Sequence, residues 1–229
     1  MYTLQIGNKN YSSWSLRPWV LLRTLAIPFK EQSHRFGPTF NVKEAGLSPS
    51  GRVPALHDGK RIVWDSLAIA EYLAERHPGV WPADDDARAW ARCAAAEMHS
   101  AFAELRNECS MSCGMRMTLK SQSDALKADI ARLVELWTDG IQRYGGPFLA
   151  GKAFTAVDAF YAPVAFRVQS YGLQLPAIPA AYVKALLALP SMKEWYEAAL
   201  AEDFRDEAHE LEIAGKGTIT ADLRVPAKG

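Results

Sequence analysis

Apolar positions along the chain follow two periods, and the change between them falls near residue 78. Before it, "TLQIG" (3–7) alternates as a half-buried strand does, and Ser15–Ala26 is apolar nearly all round, which predicts a helix covered on more than one side. "PFKEQSHRF" (28–36) reads as a second strand. Two short apolar runs, Val53–His57 and Arg61–Trp64, flank Asp58–Gly59 and predict a hairpin. A helix from Ser66 to about His77 follows, with Leu67, Ala70, Leu73 and Ala74 on one face. The order is βαβ, a connection, then ββα.

Beyond that point strand patterns disappear. The segment 79–86, within "HPGVWPADDDA", has the prolines, glycine and aspartates of a linker that ends at a helix N-terminus. Ala87, Ala91, Ala94, Met98, Ala101 and Leu105 then repeat at helical spacing, as do Leu126, Ile130, Leu133, Trp137 and Tyr144. "FTAVDAF" (154–160) has the form of a capping box, Thr155 at the cap and Asp158 three positions on, so a helix begins there and Pro163 should disturb one of its turns. Shorter helices near 179–188 and 190–201 close a bundle, and residues 211–229 show no clear period and read as an irregular tail. The expected organisation is an α+β domain over 1–78, the linker, an all-helical domain over 87–210, and the tail.

Composition narrows the functional classes. Lys plus Arg equals Asp plus Glu, so no global field attracts nucleic acid or an anionic membrane, and any anion site must be local. The amino terminus lacks the basic start and apolar core of a secretory signal, and no apolar run approaches a membrane span, so a cytoplasmic protein is expected. Three cysteines, Cys93, Cys109 and Cys113, include no CxxC pair. Cys109 and Cys113, four apart, would share a helix face, and with no ligand-spaced histidine or third cysteine beside them they read as buried thiols rather than a metal or redox site.

The small mixed domain followed by helices, together with "SSWSLR", "GRVPAL" and "DSLAIAEYL", resembles the cytosolic glutathione transferases over roughly residues 1–205. "SSWSLR" is most similar to the serine-type zeta (maleylacetoacetate isomerase-like) class, although Trp14 stands where that class often has cysteine. The resemblance implies a thioredoxin-like first domain, a cis peptide at Val53–Pro54, glutathione as co-substrate with no metal, and a homodimer. It also places Ser12, with Ser13 second and Tyr11 as a fallback, at the glutathione thiol.

The residues themselves supply matching chemistry. Asp65–Ser66 opens a helix whose free N–H groups and dipole could seat the γ-glutamyl carboxylate, with Asp65 answering the ammonium, although taken alone the pair reads first as a plain N-cap. Val53 could pair through its backbone with the cysteinyl unit, and Lys43 or Arg52 could meet the glycine carboxylate. A thiol of pKa near 8.5 is a few per cent ionised at pH 7, and lowering it by about two units takes roughly 2.7 kcal/mol of preferential anion stabilisation. A hydroxyl donor at a helix N-terminus supplies interaction of that order, so serine acts as a donor and glutathione sulfur as the nucleophile. Helix capping is the competing reading of Ser12, Ser13 and Ser15.

The electrophile is less defined. The isomerase family carries an arginine late in the corresponding sixth helix, whereas this chain has Ser170 there and Arg167 one turn earlier. The segment "CSMSCGMRM" (109–117) offers polarisable methionines, and Arg106 and Arg116 are candidate cations for an acidic electrophile. Three classes follow: an enzyme conjugating glutathione to a small electrophile, an isomerase using the same site, and a non-catalytic interaction module. A cysteine-type reductase does not fit, because no cysteine occurs before Cys93.

Overall fold

A computed structural model describes residues 1–227. The first part is a four-stranded sheet in the order β2-β1-β3-β4, built from β1 (Tyr2–Gly7), β2 (Phe29–His34), β3 (Ala55–Asp58) and β4 (Arg61–Trp64). β1 and β2 run parallel across the helix α1 (Ser13–Thr24), and β1/β3 and β3/β4 are antiparallel. β3 and β4 close through Gly59 and Lys60, with Gly59 at φ 59°, the left-handed conformation that glycine adopts without a Cβ penalty. α2 (Ser66–Ala74) buries Ile69, Ala70 and Leu73, while the predicted Leu67 is only partly covered. β1 is not half-buried as its alternation suggests: Gln5 is covered too, paired through its side chain with Gln32 and His34 of β2. The first domain is thus a mixed, thioredoxin-like sheet, as expected.

The second part is helical: α3 (Asp85–Ser100), α4 (Ala103–Glu108), α5 (Asp124–Tyr144), α6 (Ala156–Tyr171), α7 (Ala177–Ala188) and α8 (Pro190–Leu200). The periodic run from Ala87 to Leu105 is two helices rather than one, broken where Phe102 takes φ 57° and turns its ring into the core. α6 runs through Pro163 and is buried on nearly every side, because it packs against α1 of the sheet domain and against α3 and α7. Its capping box is formed. Asp158 is fully buried and also accepts from Leu149 N–H at 3.0 Å and the Tyr182 hydroxyl at 3.0 Å; burial pushes its carboxyl up to about 6, against the pull of those donors. Among the described residues no helix is long and apolar enough to cross a membrane.

Two expectations fail here. The chain after residue 211 is not irregular: α9 (Glu207–Lys216) leads into β6 (Gly217–Asp222), which pairs antiparallel with β5 (Met115–Leu119) in a second sheet. β6 is mostly exposed, so its sequence carries no alternation, and its partner lies about a hundred residues away in the methionine-rich segment. For the same reason Cys109 and Cys113 do not share a helix face, since α4 ends at Glu108 and the chain turns toward β5.

The turn between β1 and α1 is held from the far side of the molecule. Glu202, just beyond α8, accepts from Lys9 N–H at 2.6 Å, Asn10 N–H at 3.2 Å and the Asn10 side-chain amide at 3.2 Å. Trp195 Nε1 donates to Lys9 O at 3.0 Å, and Asn10 Nδ2 donates to Ala199 O at 2.5 Å. Removing the Glu202 acceptor would strand those donors away from water. Glu202→Ala should therefore cost about 2–4 kcal/mol of stability, and Glu202→Gln distinctly less because an acceptor oxygen is kept, as read from urea unfolding midpoints.

Candidate functional site

The turn delivers Ser12 and Ser13 to a cavity of about 330 Å³ between the two domains. Ser12 is the N-cap of α1 by position, yet its side chain makes no capping bond. Its Oγ instead donates to Ser15 Oγ at 2.7 Å, and Ser15 Oγ in turn accepts Gly7 N–H at 3.2 Å. The competing reading of the serines as caps is therefore not what their hydroxyls do. Ser13 is buried at the same cavity wall, and Ser15 lies behind Ser12, inside the helix.

A second cavity of about 370 Å³ adjoins the first, sharing Trp14, Arg52 and Val53 with it. Pro54, Asp65, Ser66, Ser50 and Trp64 complete its wall. The Val53–Pro54 peptide is cis. Asp65 stands at φ 75°, a conformation that costs a non-glycine residue about 1–3 kcal/mol, and its carboxylate caps α2 by accepting Leu67 N–H at 2.8 Å. His99 Nε2 lies 3.6 Å from the other Asp65 oxygen. Ser66 is buried at the start of α2. Thus Ser12, Ser13, Arg52, Val53, Pro54, Asp65 and Ser66 line two adjoining cavities. Lys43 does not: it is exposed and lines neither cavity.

Other candidates sort by burial and partners. Tyr11 lines the first cavity, but its hydroxyl donates to Glu210 at 2.6 Å and accepts from Arg224 at 3.2 Å. Burial and the Glu210 carboxylate hold its phenol well above the ordinary value, so it is a poor fallback donor. Arg116 is spent on the Cys113 and Met115 carbonyls and the Tyr196 hydroxyl, and Ser170 on the Ser112 carbonyl. Cys109 and Cys113 are buried; burial pushes the Cys109 thiol up to about 12 and raises Cys113 as well, so both are inert thiols. Among the described residues no group of three or more histidine, cysteine or acidic side chains is placed to hold a metal ion.

The guanidinium groups form a feature that the sequence reading largely missed. Arg106 and Arg167 line the first cavity, and Arg17 lies beneath Trp14, stacked 4.0 Å from its ring, with Nη1 reaching Ser66 Oγ at 3.4 Å. Arg17 is 2% exposed and Arg167 4%; among the described residues neither they nor Arg106 form an ion pair, and the Nε of both Arg17 and Arg167 lacks an acceptor. Arg167 donates to Cys109 O. Burial first, then the mutual repulsion of these cations, lowers Arg17 to about 9 and Arg167 to about 10. Asp65 opposes this for Arg17 and Asp129 for Arg106, and Tyr171 and Cys109, ahead of Glu212, oppose it for Arg167, with no ion pair formed among the described residues. Buried cations short of counter-charge make this wall favourable to an anion.

Ser110 and Met111 of the methionine-rich segment also line the first cavity, and the rest of its wall comes from parts of the chain with no motif. Phe36 and Phe40 flank the first cavity, and α9 contributes His209 and Glu212. α9 is fixed by Arg224, whose buried guanidinium holds Glu210 at 2.7 and 2.9 Å and Asp222 at 2.7 and 2.8 Å.

Comparison with known proteins agrees with this layout. A maleylpyruvate isomerase of a Ralstonia species is 33% identical over 96 residues, 38% of this chain, and a stringent starvation protein A homolog of Pasteurella multocida (strain Pm70) is 25% identical over 146 residues, 62% of this chain. The chain spans 45% and 64% of the lengths of those two relatives. A glutathione transferase homolog from Burkholderia gl BGR1, solved with bound glutathione, superposes with a TM-score of 0.65 at 24% identity, covering 86% of this chain and 97% of that one, which shows a shared fold. The family model of the glutathione S-transferase N-terminal domain matches residues 11–76 and that of the C-terminal domain matches 74–198, which together take in both cavities' serine, proline and arginine walls, and the chain belongs to the glutathione S-transferase family.

Proposed function

We propose that this protein binds reduced glutathione along the cleft, stabilises its thiolate with the Ser12 hydroxyl, and adds it to a small electrophile in the cavity beyond Trp14. The observation that carries the reading is the hydroxyl pair at the start of α1, free of capping duty and lining a cavity that adjoins the one lined by Val53, Asp65 and Ser66. The γ-glutamyl carboxylate takes the N-terminus of α2 and the Ser66 hydroxyl, with Arg17 behind it as further positive charge, and Asp65 meets the ammonium. The Val53 backbone pairs with the cysteinyl unit, and Arg52 meets the glycine carboxylate.

The sulfur then lies against Ser12. Ser15 already accepts Gly7 N–H, so its own proton can be given to Ser12 Oγ while Ser12 turns its proton to sulfur; the two hydroxyls polarise one another. With the positive end of α1 this supplies the roughly 2.7 kcal/mol that a pKa drop of about two units requires. Ser13 stands second in the same role. The homodimer that the family resemblance implies and a cytoplasmic location belong to this reading.

A second reading is isomerisation, in which glutathione adds to a double bond, allows rotation and leaves. Arg106 and Arg167 at the cavity wall favour it, since they suit the carboxylates of a cis-dicarboxylic enone, and one relative bears the name maleylpyruvate isomerase. It differs in that glutathione is not consumed.

Ser12→Ala is expected to bind glutathione within about threefold of the parent by calorimetry, yet to lose about a hundredfold in kcat for addition. Equal turnover would move the role to Ser13. The arginine wall has its own test in the pair 4-oxo-4-phenylbut-2-enoic acid and its methyl ester, each rate divided by the uncatalysed one. The parent should favour the acid by about tenfold or more and Arg106→Gln should abolish the preference, whereas no preference in the parent would remove the arginines from electrophile binding.

A further inference from the structure

His209 lines the same cavity as Ser12 and Ser13, and it is not held there as an ordinary surface histidine. Its Nδ1 lies 2.5 Å from Asp206 Oδ2, and the Asp206 carboxylate is 8% exposed. The imidazole is stacked on Tyr11, with centroids 4.9 Å apart and planes 21° apart, and on Phe36, at 5.3 Å and 22°. Both rings also line the cavity, and Tyr11 is fixed by Glu210 and Arg224. One ring nitrogen is committed to a carboxylate and the ring plane is clamped, while Nε2 has no hydrogen-bond partner among the described residues and is not among the buried orphaned atoms.

Addition of a thiolate to a polarised double bond creates a need that the serines do not meet. The S–C bond forms at the β-carbon, the π pair moves onto the carbonyl as an enolate, and the α-carbon must then gain a proton. Ser12 donates a hydrogen bond to sulfur but has no proton to spare. We propose that His209 is the proton carrier of this site and that Asp206 is its positioning residue, which makes addition across an activated C=C bond, rather than displacement of a leaving group, the reaction class of this cavity. The inference rests on the reading of the cleft as glutathione's.

Protons balance as follows. Ionisation of the glutathione thiol releases one proton, which His209 takes up at Nε2 to become imidazolium, with Nδ1–H on Asp206. Sulfur attacks, the enolate forms, and the Nε2 proton passes to the α-carbon as the C–H bond is made. Neutral His209 is restored, and the net change is addition of glutathione S–H across the double bond. Asp206, the N-cap of α9, contacts the imidazole; Glu210 and Arg224 bond Tyr11, on which it stacks, and Arg52, Arg106, Arg167 and Glu212 share its cavity wall.

The test uses the full chain with glutathione and 4-oxo-4-phenylbut-2-enoic acid, comparing the parent with His209→Gln, His209→Phe and Asp206→Asn. His209→Phe keeps a flat ring to stack on Tyr11 and Phe36 but has no proton to give. Both His209 variants should bind glutathione calorimetrically as the parent does while kcat falls by about a hundredfold with KM little changed, and Asp206→Asn should fall by about tenfold. Added imidazole should restore part of the His209→Gln rate. A merely structural ring predicts parent-like kcat in His209→Phe, and that result overturns the proposal while leaving glutathione binding intact. Absence of calorimetric glutathione binding in the parent overturns the glutathione reading and this inference with it.

Discussion

The carboxylate of Glu202 is the point on which the site's geometry depends. It gathers two backbone N–H groups and a side-chain amide from the turn between β1 and α1, and these are donors that a turn cannot satisfy by itself. Because Glu202 lies just past α8, the first turn of α1 is positioned by the helical domain as much as by its own sheet. Burial raises the Glu202 carboxyl, and the three donors pull against that rise, so the clamp is electrostatically costly and well satisfied at once. Together with the packing of α1 on α6, which carries Arg167, this clamp fixes the start of α1, and with it Ser12, against the arginines on the opposite wall.

A second clamp acts from the C-terminal side. Arg224 joins Asp222 at the end of β6 to Glu210 of α9, and Glu210 receives the Tyr11 hydroxyl. The same turn that carries Ser12 is thereby tied to the segment that carries His209. The two walls are separate stretches of sequence about two hundred residues apart, joined by the bonds of the Tyr11 hydroxyl to Glu210 and Arg224 and by the stacking of His209 on Tyr11 and Phe36. The cavity between them has a hydroxyl side, a guanidinium side and an imidazole side, and the chemistry proposed for it divides the same way: anion stabilisation, anion binding and proton transfer.

What was legible in the sequence is what is local. The hairpin at Gly59, the capping box at Thr155 and Asp158, the start of α2 at Ser66 and the serines at the start of α1 are each set by residues within a few positions of one another, and each stands where its motif implies. The sheet–helix partition follows from the period of the apolar pattern. β6 was illegible because an exposed strand paired with a distant partner leaves no alternation, and His209 and Glu212 stand on a helix tied to the site through Tyr11, about two hundred residues away. Arg17 carries a usable signal in the sequence: an arginine inside a helix apolar nearly all round is placed for burial, and buried guanidinium groups seek anions. Lys43 matched a chemical need by type and sequence neighbourhood alone, and the loop turns it to solvent.

The central claim is that the Ser12 hydroxyl lowers the pKa of bound glutathione, and the most direct measurement is a pH titration of the bound thiol. It follows absorbance at about 240 nm, where thiolate absorbs far more strongly than thiol, in the parent and in Ser12→Ala. The account predicts a midpoint about two units below the ordinary thiol value in the parent and a return most of the way toward that value in the variant. Coincident midpoints in the two proteins would contradict it.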